Sequence, residues 1–412
     1  MESCQTMSGQ HLVIVGAGHA AGQLVASLAQ EKFPGTVTLV GDEAYPPYQR
    51  PPLSKKYLAG ELALDRLYLK PVAFYEKFGT RLLLGRRAER IDRAAHRVVL
   101  DDGSSLDYTA LVLATGSRAR PLSLPGAELP GIASLRSIAD VEAIRARFSA
   151  GTSLVVVGGG YIGLELAAVA VKLGLAVTVL EAAPRLMMRG VGPTVSMFYE
   201  RLHREEGVSV HTGVAVTGFE GRGRVESVVC EGLRVPADLV VVGVGALPNI
   251  ELAQAAGLAT TNGIDVDARC RTDDPAIYAI GDCTNQHHPL LDRRLRLESV
   301  HNALEQGRMA AAAICGLPAP PDQVPWFWSD QYDVKLQTAG LSDRHDQAII
   351  RGRPDEGRSF AVFYLSDGVL VACDAMNRAA EFMMSKVLVG ARARVDTAKL
   401  ADERVAVKDC RL

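Results

Sequence analysis

The sequence predicts an α/β protein in which two parallel-sheet units of one plan precede a small α+β domain, and three observations carry that expectation. First, an apolar run at residues 11–15 ends in glycines, an Ala/Leu-rich stretch reaches Gln30, and a second apolar run covers 37–40. This is the pattern of strand, helix, strand. Second, the pattern returns at 154–157, 162–172 and 176–180, so two nucleotide-binding units share one design. Third, the Pro-rich linker 317–321 is followed by aromatic and β-branched runs at 360–365 and 368–373 and a helical stretch at 379–389. A small sheet with one helix accounts for these. The apolar runs 111–116 and 239–245, each closing on glycine, read as buried strands at the chain crossings between domains.

Size and charge narrow the function. A chain of 412 residues exceeds what one hydrophobic core usually serves, so two or three domains are expected. Its net charge of -2 gives no overall attraction for nucleic acid or an anionic membrane. The longest apolar stretch, 154–180, is broken by glycines, Glu165 and Lys172, which argues against a membrane span. Residues 1–10 are polar and lack an apolar signal core, so a soluble cytoplasmic protein is expected. The seven cysteines (Cys4, Cys230, Cys270, Cys283, Cys315, Cys373, Cys410) are scattered and odd in number. They read as reduced thiols rather than disulfides or a zinc site. His287 and His288 lack matching partners and read as loop residues, so no metal is expected.

Three motifs carry chemistry. In Gly16-Ala-Gly18-His-Ala-Ala21, Gly16 permits a tight turn, Gly18 lets the backbone approach a pyrophosphate, and the third position, Ala21, packs helix on strand. Helix amides then face the phosphate charge. Asp42, ending the second strand, is placed to hydrogen-bond an adenosine ribose. In Gly158-Gly-Gly160-Tyr-Ile-Gly163 all three glycines are present, and Glu181 ends the next strand. A carboxylate there accepts hydrogen bonds from the ribose of NAD and repels the extra phosphate of NADP. NADH is favoured, while Arg185 and Arg189 nearby keep NADPH open. In Gly281-Asp282, Asp282 would accept a hydrogen bond from a flavin's ribityl chain, with the following amides at a helix start. Two dinucleotide units together with this motif separate a two-nucleotide flavoenzyme from a simple dehydrogenase.

Arg50-Pro-Pro-Leu-Ser-Lys55 supplies a mobile cation, and a cation near a flavin stabilises its reduced form. Glu165, on the second nucleotide helix, would pair with Lys55 so that neither buried charge stands uncompensated. The alternative has Lys55 capping a turn and Glu165 as a solvated acid at a helix start.

With Val40-Gly-Asp42, Glu298-Ser-Val300, Asn302-Ala-Leu-Glu-Gln306 and Trp326-Phe-Trp-Ser-Asp-Gln331 added to these motifs, nearly the whole chain resembles the FAD-dependent, NADH-linked ferredoxin reductases of bacterial oxygenase systems. The resemblance implies two Rossmann-like dinucleotide-binding domains in a glutathione-reductase-like architecture. An FAD-binding domain would be built from 1–117 and 248–320, an NAD-binding domain from 118–247, and a C-terminal domain covering the flavin and contributing to partner docking from 321–412. It implies FAD contacts at Gly16, Gly18, His19, Ala20, Asp42, Arg50, Lys55, Ala88, Ala114, Thr115, Gly116, Arg136, Gly281, Asp282, Ser299, Val300 and Trp328. NAD contacts are implied at Gly158, Gly160, Tyr161, Ile162, Gly163, Glu165, Glu181, Arg189 and Gly245, and catalytic roles at Lys55, Glu165 and Trp328.

Residues 43–56 contain no cysteine, where disulfide reductases of this architecture carry a pair and related NADH oxidases carry one. The flavin is then the last redox station, taking hydride from NADH and passing single electrons to an external acceptor, which the resemblance implies is a [2Fe-2S] ferredoxin that feeds an oxygenase. Arg294, Arg308, Lys335 and Lys408, chosen from basic residues that also include Arg293 and Arg296, are candidates for docking an acidic ferredoxin. A rubredoxin reductase and a flavin- and NADH-binding regulator resembling apoptosis-inducing factor are the alternatives. The chain is expected to be a monomer or weak dimer.

Overall fold

The computed structural model describes residues 9–412, so Cys4 and most of the polar leader lie outside the described residues. The chain divides into two compact units. One contains the chain up to Gln49 with Leu64–Arg118 and Leu247–Gln323. The other contains Arg50–Ala63, Ala119–Ala246 and Val324–Leu412.

In the first unit His11–Val15 is the middle strand of a five-stranded parallel sheet. Thr36–Gly41 and Ala110–Leu113 flank it, with Thr80–Leu84 and Ile277–Ala279 at the edges. Leu12, Val13 and Ile14 are fully buried, as a parallel strand covered on both faces requires. Helix His19–Gln30 lays Ala21, Leu24, Val25 and Leu28 into a core shared with Ala303, Ala310 and Ala311 of helix Val300–Ile314.

The second unit repeats the plan around Ser153–Val157, with Ala176–Glu181 and Ser209–Thr212 on one side and Leu239–Val242 and Ile132–Ser134 on the other, all parallel. The runs expected as buried strands at the crossings are interior strands, Ala110–Leu113 and Leu239–Val242. Their uniform apolarity serves two covered faces, and the chain passes between units just beyond them, after Arg118 and after Ala246.

The same unit holds an antiparallel sheet of Trp326–Gln331, Val334–Gly340, Val369–Met376, Phe360–Ser366 and Gln347–Gly352 in that order. Helix Ala379–Gly390 packs Phe382 and Leu388 into the same core as Phe363, Leu365 and Cys373. This is the expected α+β portion. The segment Arg50–Ala63 joins this unit through hydrogen bonds: Arg50 Nη1 donates to Arg136 O at 2.7 Å, and the Tyr57 hydroxyl donates to Glu142 Oε1 at 3.1 Å.

Among the described residues no helix is long and apolar enough to cross a membrane. Cys230, Cys270, Cys283, Cys373 and Cys410 are buried and Cys315 half-buried, all as free thiols. Desolvation raises the pKa of each of them. His287 and His288 end the strand Thr284–His288 rather than lying in a loop, and His287 Nε2 is 3.2 Å from Asp292.

His203, on helix Pro193–Glu205, is fully buried against the antiparallel sheet, with Nε2 2.8 Å from Gln331 Oε1 and Nδ1 2.9 Å from the Tyr332 hydroxyl. One neutral tautomer satisfies both: Nε2–H donates to the amide oxygen and Nδ1 accepts from the phenol. Burial lowers its pKa from 6.5 to about 4. As pH falls through that window the unfolded chain takes up the proton first, so stability is complete above pH 6.5 and is lost progressively toward pH 4. The loss amounts to about 3 kcal/mol at roughly 1.4 kcal/mol per pKa unit. His203→Gln is expected to flatten the fall in melting temperature across this window, and equal slopes in variant and parent would refute the assignment.

Candidate active site

Each unit carries one glycine loop. In the first, Gly16 has φ 110° and its N–H donates to Val40 O at 2.8 Å. A Cβ there would stand 2.1 Å from Ala114 O, so any side chain is excluded. Gly18 caps helix His19–Gln30 with no side-chain hydrogen bond, and a Cβ on it would meet nothing within 4 Å. Open space thus lies over a helix start, where amides lack intrahelical partners and favour an anion. These residues fit a dinucleotide's pyrophosphate. His19 and Ala20 form the first turn, and Ala21 is fully buried, so its methyl is accommodated where glycine is commoner. Asp42 follows strand Thr36–Gly41 and is exposed.

Ala114, Thr115 and Gly116 leave the neighbouring strand. Thr115 Oγ1 donates to Asn249 O at 2.7 Å and Asn249 Nδ2 returns a bond to Thr115 O at 2.8 Å, fixing this exit. Gly281 has φ 85°, and its N–H donates to Gln306 Oε1 at 2.7 Å. Asp282 Oδ2 accepts from Ser117 Oγ at 2.9 Å. The helix start expected after Asp282 is absent. A turn closed by Thr284 N–H to Gly281 O leads into strand Thr284–His288, which pairs with Ile264–Val266. The next helix begins at Val300, capped by Ser299, whose side chain accepts from Asn302 N–H at 3.1 Å. Ala88 opens strand Ala88–Asp92 beside a register shift.

In the second unit Gly158 has φ 107°, and a Cβ on it would stand 2.5 Å from Gly243 O. Gly163 allows its helix to press on the loop, a Cβ there falling 2.4 Å from Gly158 O. Gly160 caps helix Tyr161–Lys172, and a Cβ on it would meet only Gly243 O, at 4.0 Å. A second open anion cradle results. Tyr161 packs its ring 4.5 Å from that of Phe327, while Ile162 is 42% exposed. Gly245 lies against the Arg189 guanidinium, where a Cβ would come within 2.9 Å of Nη2.

Glu181 does something its motif position does not announce. Its Oε2 accepts from Gly159 N–H and its Oε1 from Ala183 N–H, each at 2.7 Å. The carboxylate braces the glycine loop, and its remaining lone pairs are what a ribose could use.

Lys55 Nζ is 2.6 Å from Glu165 Oε2, and Glu165 is 4% exposed. Ser54 Oγ donates to the same oxygen at 2.5 Å and Ser329 Oγ to Oε1 at 2.6 Å. Lys55 also caps the turn, donating to Pro51 O at 3.2 Å. Both readings of Lys55 therefore hold, and a solvated Glu165 does not. Trp328, adjacent to Ser329, is half-buried with its ring 5.4 Å from Trp326. Alternation along the strand sends Trp328 and Ser329 to opposite faces. Ser54, Ser329, Ser117 and Gln306 were not assigned from sequence; each lies in or beside a quoted motif, which was the available signal.

The proposed docking residues divide. Arg294 and Arg308 belong to the first unit, where Arg294 pairs with Asp265 at 3.4 Å and Arg308 with Glu305. Lys335 and Lys408 belong to the second and are exposed. Carboxylates thus offset the two arginine charges.

Residues 10–307 match the model of the pyridine nucleotide-disulphide oxidoreductase family. The chain belongs to this family. A reductase C-terminal family model matches residues 326–411 of the oxidoreductase. The oxidoreductase is 45% identical to a putidaredoxin reductase of Pseudomonas putida over 98% of this chain and 97% of that one. It is 44% identical to the ferredoxin reductase subunit of a Sphingobium 5,5'-dehydrodivanillate O-demethylase, over 96% of this chain and 97% of the other. Its fold matches a chain of the solved covalent putidaredoxin reductase–putidaredoxin complex with a TM-score of 0.95 at 44% identity, covering 98% of each. The oxidoreductase therefore sits in the ferredoxin-reductase branch of the family and uses flavin and NAD(P)H.

Removing one partner of a buried pair costs more than removing both. Lys55→Met is expected to destabilise the oxidoreductase by about 3–5 kcal/mol, and adding Glu165→Gln should return much of that. Thermal melting of the two variants checks this; a single variant as stable as the double one would show that the pair does not bear on folding.

Proposed function

We propose that this oxidoreductase is an NADH-dependent ferredoxin reductase that binds FAD and serves an oxygenase through a [2Fe-2S] ferredoxin. One observation carries the reading: two open, backbone-lined anion cradles in a chain with no cysteine at 43–56 to relay electrons. Bound FAD would supply the exchange between a two-electron hydride donor and a one-electron acceptor.

The chain's own residues have distinct tasks. Gly16 and Gly18 expose backbone to a pyrophosphate, Asp42 offers an acceptor beside an adenosine ribose, and Asp282, oriented by Ser117, accepts from a ribityl hydroxyl. Gln306 holds Gly281 in the turn that presents Asp282. Gly158, Gly160 and Gly163 form the corresponding seat for NADH, with Glu181 bracing the loop and opposing a 2'-phosphate. Lys55, its charge balanced by Glu165, provides the cation. The flavin roles of Arg50, Lys55, Arg136 and Trp328 rest on the resemblance alone, and these four residues belong to the second unit. The division into an FAD-binding part, an inserted NAD-binding part and a C-terminal part, the cytoplasmic location, and docking through Arg294, Arg308, Lys335 and Lys408 belong to the same proposal.

Purified protein is expected to be yellow and to release FAD on denaturation, and NADH-driven reduction of cytochrome c should rise on adding a [2Fe-2S] ferredoxin. A colourless preparation, or stimulation by rubredoxin alone, would overturn the proposal. Glu181→Ala is expected to narrow the NADH-over-NADPH preference and, because it also unbraces Gly159, to weaken both nucleotides. An unchanged ratio of kcat/KM values would remove Glu181 from the specificity role.

A further inference from the structure

Besides Ser329 and Gln331, the antiparallel sheet reaches into the nucleotide-binding part of its unit through a phenol. Gly192 N–H donates to the Tyr364 hydroxyl at 3.2 Å, and that hydroxyl donates its single proton to Asp374 Oδ2 at 2.8 Å. Asp374 Oδ1 accepts from Thr338 Oγ1 at 2.7 Å, and Tyr364 and Asp374 are each 1% exposed. Because Asp374 takes the only phenolic proton, the oxygen is left to accept from Gly192. Without it the buried Gly192 N–H would keep only the Asp374 carboxylate, with which it also interacts.

Gly192 ends a loop stitched to the second glycine motif. Arg185 Nη1 donates to Val191 O at 2.7 Å and Nη2 to Met188 O at 3.1 Å; Gly190 N–H donates to Met187 O at 2.8 Å. Met187 N–H in turn donates to Gly159 O at 2.9 Å, and Gly159 is the residue whose N–H Glu181 holds. Hydrogen bonds and the short loop backbone between them therefore connect Asp374 to the anion cradle.

We propose that Tyr364 is a positioning residue for NADH: the antiparallel sheet, through Tyr364 and Asp374, holds the 185–192 loop and with it the Gly158–Gly160 cradle in binding register. This rests on the reading of that cradle as the NADH seat. The fit is close on both sides, since a Cβ on Gly192 would stand 2.6 Å from the Tyr364 hydroxyl.

The test uses full-length, FAD-loaded protein, with NAD+ titrated at equilibrium and NADH kinetics followed with ferricyanide. Tyr364→Phe is expected to raise the NAD+ dissociation constant and the NADH KM together by about three- to tenfold, the size of one net hydrogen bond. Its kcat at saturating NADH should stay within about twofold, because the reacting groups are untouched. Gly192→Ala, which presses on the same contact from the other side, should weaken NAD+ as well. The double variant should lose less than the product of the two single losses. Unchanged dissociation constant and KM in Tyr364→Phe, or strictly multiplicative losses, overturn the inference; failure of the parent protein to bind NAD+ would instead sink the NADH assignment beneath it.

Discussion

A carboxylate cannot be buried alone, and the second unit is organised around satisfying one. Glu165 is almost fully withdrawn from water, and its two oxygens are met by a lysine and two serine hydroxyls. In a low-dielectric interior such a group is tolerable only when charge and lone pairs are both answered. The donors come from two distant segments, Arg50–Ala63 and the strand Trp326–Gln331, so both must converge on helix Tyr161–Lys172. The grouping of 50–63 with this unit, rather than with its sequence neighbours, follows from the same need.

The two glycine loops, each within its own unit, solve one problem in the same way. Backbone, not side chains, is offered to an anion, and neighbouring carbonyls stand so close that only glycine fits at Gly16 and Gly158. The differences are instructive. The first loop tolerates Ala21, whereas the second requires Gly163 because its helix presses on Gly158 O. The acid after the first pair of strands is exposed, while its counterpart Glu181 is tied to the loop it serves.

Much of this is legible in the sequence itself. Strand, helix and strand are local patterns, and the glycine spacing records a backbone constraint within a few residues. The Lys55–Glu165 pair was readable for another reason: a charge on a helix destined for burial needs a counter-charge. The hydroxyl partners were not readable, since Ser54 and Ser329 lie 111 and 164 residues from Glu165 and serine has no strong preference for any partner. The turn after Asp282 was misread as a helix start because only the pairing of Thr284–His288 with Ile264–Val266 decides it. The strands at Ala110–Leu113 and Leu239–Val242 are legible because an unbroken apolar run closing on glycine suits a strand covered on both faces.

The thiols close the account in a practical direction. All the described cysteines but the half-buried Cys315 are buried, and desolvation raises the pKa of each, which favours the less reactive thiol. Once Cys4 is replaced, an introduced surface cysteine should be the dominant target for maleimide chemistry, so spin labels or fluorophores can be attached site by site.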